Sequence, residues 1–505
     1  MKRAALLLFA LACPGCSHDA GAPDATGEGR AIEMIVSSDA ETLDPRYAGD
    51  AVALRTTRLI HAGLVRLDPS TLRPEPYLAK TFHWTDARTL QVELRDDVRF
   101  HSGAPLTSAD VVATLRAFGS PAVASRHASV VDAIAEAHAD GPHALTITLK
   151  RAHATLLTDL ELPILRADEA AGPPDPHGSL DGLGPFVVAS FARGEIRLAP
   201  ADTSASPRPR HAVVVRTVHD ENARALRLHA GRADVALNVV SPTLLPALDG
   251  AGDLRVTSRP GANLTYMVMR VDRAPLNDVR VRRAISLAID RAKIARTLLA
   301  GYAEPADTLL PPALWAYTPA TSALAFDPDA ARAILHEARP AEGAGGARLH
   351  FTLLTSTDRL RGTIARYMAQ ELAEVGVDLE VVPLELGTML ARLASGDFDA
   401  ATLQLPEISE PNVLRVFMHG DLVPPRGANR GRIHDADVDR LLDAGDQASS
   451  EPDRVKIYAE LEAKNREELF LVPLWHEAQV AVTSERARAF APSAEGRWLS
   501  LAALP

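Results

Sequence analysis

The stretch from Arg348 to Leu405 constrains the fold of this chain more than any other, because two hydrophobic periodicities alternate along it. Leu349, Phe351 and Leu353 recur at every second residue, the period of a strand. Asp358 then starts a helix that carries Ile364, Met368 and Leu372 on one face and stops at Gly376. Val377, Leu379 and Val381 return to the strand period, a short helix runs from Gly387 to near Gly396, and Phe398 to Leu405 is strand again. Strands joined through a helix pair in parallel, so the segment predicts a β-α-β-α-β unit of an α/β fold. Ligands of such sheets sit in a crevice at the carboxyl ends of the strands.

A chain of 505 residues exceeds the size at which a single core stops growing, so two or more lobes are expected. The formal net charge is −11, and losing Lys2 and Arg3 with a leader makes the body more acidic still. That excludes nucleic acid and an anionic lipid face as partners, since each needs a basic footprint. Lys2-Arg3 precede an apolar run from Ala4 to Ala12, too short to span a bilayer, which reads as the leader of an exported protein occupying residues 1–16. Gly15-Cys16 looks like a lipidation site, with Cys13 as a second candidate, so the protein is expected on the outer face of a bacterial membrane or in the periplasm, held by a lipid anchor. No other cysteine exists, which removes disulfides, thiol catalysis and cysteine-ligated metal from the mature body. Residues 17–30, rich in Gly, Ala, Pro, Asp and Ser, read as a flexible tether.

Further along, Asp278 caps a helix with Val281, Ala284, Ile285, Ala288 and Ile289 on one face, and Asp290 caps the next, which ends before Gly301. Arg280, Arg282, Arg283 and Arg291 fall on the other side and read as a solvated cationic face. Asp327-Pro328 opens another helix that ends before Pro340; Gly343 to Gly346 form a loop without the lysine and threonine of a phosphate loop. No G-x-S-x-G or H-E-x-x-H occurs, and His127, His138, His143 and His153 are scattered in the manner of surface or satisfied histidines. No catalytic residue, metal site or cofactor is expected, and binding is the simpler function.

The segment from Ala79 to Val112 names a family. Leu90, Val92 and Leu94 alternate as one strand and Val98 and Phe100 as a second; Ser102-Gly103 turns the chain, and Thr107 with Asp110 opens a helix through Val111, Val112, Leu115 and Phe118. The side chains in order, Leu78-Ala79, Asp86, Leu94-Arg95, Val98, Phe100-His101, Gly103, Pro105-Leu106-Thr107 and Asp110-Val111, resemble the signature of the peptide, oligopeptide and nickel branch of bacterial extracellular solute-binding proteins. Thr42-Leu43-Asp44-Pro45, Gly184-Pro185-Phe186, Gly231 to Val235, Asp278 to Ala284 and Phe326-Asp327-Pro328 extend the resemblance over nearly the whole mature chain.

The resemblance implies a two-lobed, type II periplasmic-binding-protein-like fold that closes on its ligand about a hinge, with an extra subdomain in the first lobe. Lobe I is expected from residues 31–66, 185–263 and 475–505, the extra subdomain from 67–184, and lobe II from 264–474, with crossovers near Leu264 and Leu474 as the hinge. It also implies a monomeric receptor that delivers a short peptide to an ABC permease; a nickel chelate, haem, opine or sugar is the alternative ligand, and an exported sensor or hydrolase the alternative role. Relatives hold the peptide ammonium on an acidic loop after the last strand of the β-α-β-α-β unit, and the matching stretch here is Gln404 to Asn412. Glu407 occupies the ammonium place and Glu410 the acidic place before proline, with Gln404 and Asn412 flanking them. Arg359 and Arg361 stand near the place of an arginine that fixes the ligand carboxylate in dipeptide-binding relatives. Tyr47, Ala48, Gly49 and Asp50 stand where relatives lay backbone and hydroxyl groups along the ligand. An aromatic content of 5% is low for a protein that grips peptide side chains.

Overall fold

The computed structural model describes residues 29–338 and 349–505, apart from positions 176, 204, 207 and 449. The leader, Cys13, Cys16, most of the tether and the Gly343 to Gly346 loop therefore lie outside the described residues.

The β-α-β-α-β unit forms as its periodicity predicts. Leu349–Ser356 pairs in parallel with Val377–Leu384 on one side, from Leu349 against Val377 to Ser356 against Leu384, and with Ala400–Leu405 on the other. Helices Arg359–Glu374 and Leu386–Ser395 make the two connections. Asp358 accepts a hydrogen bond from the Arg361 N–H at the start of the first, and Gly396 ends the second in the left-handed region with φ 79°. Three more strands complete a six-stranded sheet in the order Ala303–Pro305, Leu471–Glu477, Leu264–Met269, Ala400–Leu405, Leu349–Ser356, Val377–Leu384. Leu264–Met269 is central and buried at every position, as a strand covered on both faces must be.

A second sheet has seven strands in the order Arg255–Arg259, Gln479–Thr483, Val235–Leu237, Ile32–Val36, Val213–Thr217, Glu195–Pro200, Phe186–Ala192. The chain passes from this sheet to the six-stranded one between Arg259 and Leu264, and returns at Ala478, between Leu471–Glu477 and Gln479–Thr483. The two passages lie side by side: the Asn263 side chain donates to the Glu477 carbonyl at 2.7 Å and accepts from the Glu477 N–H at 2.8 Å. Gly184 closes the end of helix Ala51–Ile60 against strand Phe186–Ala192, donating its N–H to the Ile60 carbonyl at 2.8 Å. A Cβ there would stand 2.5 Å from the Leu59 oxygen, a backbone atom, so the Gly-Pro-Phe motif is a packing requirement.

A third, antiparallel sheet has the order Ala79–Asp86, Thr89–Leu94, Ala144–Leu149, Ile134–Gly141, with helix Ser108–Phe118 on its apolar face. The Thr107 N–H donates to the Asp110 carboxylate at 2.8 Å, as the capping pattern predicts. The expected strand over Val98 and Phe100 is absent. Both side chains are buried, but their segment makes only an isolated bridge between Arg99 and Pro105. Alternating burial reports where side chains point, whereas a strand also needs a partner edge, and here Ala79–Asp86 takes that edge.

The cationic face at 280–291 is also corrected. Arg280 is exposed and paired with Asp278 at 2.7 Å, but Arg282 and Arg291 are buried. Arg282 donates to the carbonyls of Leu276 and Glu468, each at 2.9 Å, and Arg291 to those of Ser286 and Pro473, each at 2.9 Å. A guanidinium has five donors, enough to tie helix ends to a neighbouring strand, and burial draws the Arg291 pKa down to about 10.

Candidate functional site

Helix Ala51–Ile60 faces the loop that leaves strand Ala400–Leu405 across the gap between the six- and seven-stranded sheets. Asp50 caps that helix by accepting from the Ala53 N–H at 2.8 Å, which places Arg55 and Arg58 one turn apart on the same side. Both reach Glu407: Arg55 Nη2 lies 3.6 Å from Oε1 and Arg58 Nη1 3.6 Å from Oε2. Arg58 also stands 3.9 Å from Glu161, which pairs closely with Arg497, and Arg497 Nε lies 3.4 Å from Glu495. The result is a network of three guanidinium groups and three carboxylates. It is incompletely bonded, since Arg55 Nε, Arg58 Nη1 and Arg497 Nε are buried without a hydrogen bond. Burial, aided by the Arg497 charge, draws Arg58 below the usual arginine range, and burial pushes Glu495 up.

The network stands between two cavities. One of about 570 Å³ is lined by Arg58, His153, Glu407, Glu410, Asn412 and Asp446 among others. The other, of about 450 Å³, has Arg55, Asn238, Asn263, Arg361, Gln404 and Glu477 in its walls. Glu407 lines the first of these cavities. Gln404 lines the other cavity and points its amide toward Thr265 Oγ1 at 3.4 Å.

Glu410 is held by a close pair with Arg454 and accepts from Thr158 Oγ1 at 3.3 Å; burial pushes its carboxyl up. Asn412 donates to Asp446 at 3.1 Å. Asp446 also pairs closely with Arg151 and lies 2.9 Å from His153 Nδ1, while His153 Nε2 is 3.1 Å from Asp159. Burial opposes a charge on His153, but the two carboxylates prevail and lift its pKa to about 9; burial opposes the Asp446 charge too, and His153 and Arg151 together hold it down at about 2. His153 is thus ion-paired through both ring nitrogens, its buried Nδ1 outside hydrogen-bond geometry, and it stands in the wall of the cavity.

Of the two arginine candidates, Arg361 lines the 450 Å³ cavity with its fork engaged by Glu477, at 3.1 Å for Nη2, and Arg359 is exposed and lines neither cavity. Tyr47, Ala48, Gly49 and Asp50 also line neither cavity. The Tyr47 hydroxyl donates to the Val123 carbonyl at 2.8 Å, the Ala48 carbonyl lies 2.8 Å from His127 Nε2, Gly49 abuts Arg126, and Asp50 is the helix cap. Their turn aims the helix; Arg55 and Arg58 within it face the cleft. The sequence reading missed Arg55, Arg58, Glu161 and Arg497, whose only signal is the one-turn spacing of the first two behind a cap. Among the described residues no group of His, Cys, Asp and Glu is placed to hold a metal ion, and no helix is long and apolar enough to cross a membrane.

Two mixed sheets joined by paired passages, with charged groups from both facing one cleft, make the type II periplasmic-binding-protein fold. Matching solved structures have that architecture: the ABC transporter substrate-binding protein CtaP from Listeria monocytogenes superposes with a TM-score of 0.84 at 20% identity, over 94% of this chain and 99% of that one. The family described as bacterial extracellular solute-binding proteins, family 5 Middle, matches residues 73–412, and the chain belongs to it. Curated relatives include a probable di/tripeptide-binding protein 5 from Pseudomonas aeruginosa, 26% identical over 86% of this chain and 88% of that one. The glutathione-binding protein GsiB from Escherichia coli K12 is 26% identical over 72% of this chain and 71% of its own.

Proposed function

We propose that this chain is the solute receptor of an ABC importer, that it captures a short peptide between two lobes, and that it hands the peptide unaltered to a membrane permease. The observation that carries the reading is Glu407 facing Arg55 and Arg58 at the junction of two cavities. A peptide zwitterion carries the same two charges. Its ammonium would take Glu407, its carboxylate would take the arginine forks, and the buried donors that now lack hydrogen bonds would gain acceptors. Relatives that bind di- and tripeptides and glutathione support the choice of ligand.

In this reading the seven-stranded sheet and the antiparallel subdomain at 67–184 form the first lobe, and 264–474 with the strand end to Glu477 forms the second. Contacts from both lobes exist together only in the closed state, so a ligand that makes them shifts the population toward closure. The body acts as a monomer outside the cell, tethered through a lipid on Cys16 or Cys13.

Calorimetric titration with di- and tripeptides, followed by mass spectrometry of the released ligand, tests the reading. Unchanged peptide bound stoichiometrically is expected, with affinity lowered about 10- to 100-fold in Glu407→Gln, the range for losing one charged hydrogen bond. Peptide cleavage, or binding indifferent to Glu407→Gln, would overturn it.

A further inference from the structure

A third cavity of about 400 Å³ opens between the antiparallel subdomain and the helices that follow the six-stranded sheet's loops. It shares His153, Thr158 and Glu410 with the 570 Å³ cavity, so the two spaces adjoin. Trp84 of strand Ala79–Asp86, Trp315 and Leu157 line it together. The Arg454 guanidinium lies 5.0 Å from the centre of the Trp315 ring, fixed in place by Glu410 and by the Gly445 carbonyl at 3.2 Å.

Most of the charged groups around this space are already paired. Arg73 pairs with Glu451 at 2.6 Å, Arg454 with Glu410, and Asp86 accepts from the Arg88 N–H at 2.7 Å. A further charged group would find both arginines already engaged, whereas an apolar one would lose water against two indole side chains. The chain has only four tryptophans; Trp475 and Trp498 are core residues at 1% and 2% exposure, and the other two line this one cavity. In a protein so poor in aromatic residues, that placement marks where ring contacts are made.

We propose that this space is a specificity pocket that receives a bulky apolar side chain, aromatic above all, of the peptide held in the adjoining cavity. The assignment rests on the peptide reading above and adds to it which peptides are preferred. Trp84 and Trp315 set that preference.

The test uses the full chain and four tripeptides, Ala-Ala-Ala, Phe-Ala-Ala, Ala-Phe-Ala and Ala-Ala-Phe, titrated into wild type, Trp84→Ala, Trp84→Phe and Trp315→Ala. In wild type at least one phenylalanine peptide should bind about tenfold or more tighter than Ala-Ala-Ala, the scale of filling an apolar pocket. Trp84→Ala and Trp315→Ala should bring that ratio close to one, and Trp84→Phe, which keeps an aromatic wall, should retain most of it. Because the readout is a ratio within each variant, a general loss of affinity does not imitate the effect. If wild type binds none of the four, the peptide reading falls and the pocket with it. If it binds them without preference, or with a preference that both alanine variants keep, the pocket assignment alone is overturned.

Discussion

Deprotonating His153 should loosen the grip of the 151–159 segment on helix Ala436–Gln447. His153 lies between Asp446 of that helix and Asp159 of helix Leu156–Asp159; Thr155 also reaches its ring, and Arg151 shares Asp446 with it. Its pKa is lifted from 6.5 to about 9. A histidine whose folded pKa is raised contributes stability that is complete below the unfolded value and disappears as pH climbs through the folded one. The window is therefore from about 6.5 to 9. At about 1.4 kcal/mol per pH unit the ceiling is about 3 kcal/mol. The downward shift of Asp446 contains the same attraction, together with that of Arg151, and is not added. The direct assay is an NMR titration of the histidine rings, with the His153 signal identified by its loss in His153→Gln. Its midpoint should fall near 9, and denaturation of wild type between about pH 7 and 10 should lose more stability than that of the variant. A His153 midpoint at or below about 6.5, or equal losses in both proteins, would refute the reasoning.

Two further outcomes test the packing. Gly184→Ala should lower the denaturation midpoint by the equivalent of about 1–3 kcal/mol, because its Cβ meets the backbone of Leu59 and Ile60 rather than a side chain that could turn away; an unchanged midpoint would contradict the close approach. Burial pushes the Glu462 carboxyl up to about 7 even though the Leu309 and Leu310 N–H groups donate to it, so stability present below the ordinary glutamate range should drain as pH rises through about 7. Glu462→Gln should remove that slope in urea melts at about pH 5 and 8, and a variant that keeps the wild-type slope would show that Glu462 is ionised throughout.

The helix caps at Asp278, Asp290 and Asp358 and the strand-helix alternation after Leu349 depend on neighbours a few residues away, and the sequence by itself determined them. The loop at Glu407 was singled out by family resemblance, as the stretch that follows strand Ala400–Leu405. Tertiary structure alone decided the partners of that loop. Arg55 and Arg58 read as ordinary helix residues until sheet order brings their helix across from Glu407, and Arg282 and Arg291 read as solvated until Glu468 and Pro473 supply carbonyls. Trp84 and Trp315 belong to separate layers that meet only after the chain has crossed between sheets. Periodicity records which face a side chain takes along its own element; the identity of what lies opposite follows from long-range strand pairing, which short-range side-chain order does not encode.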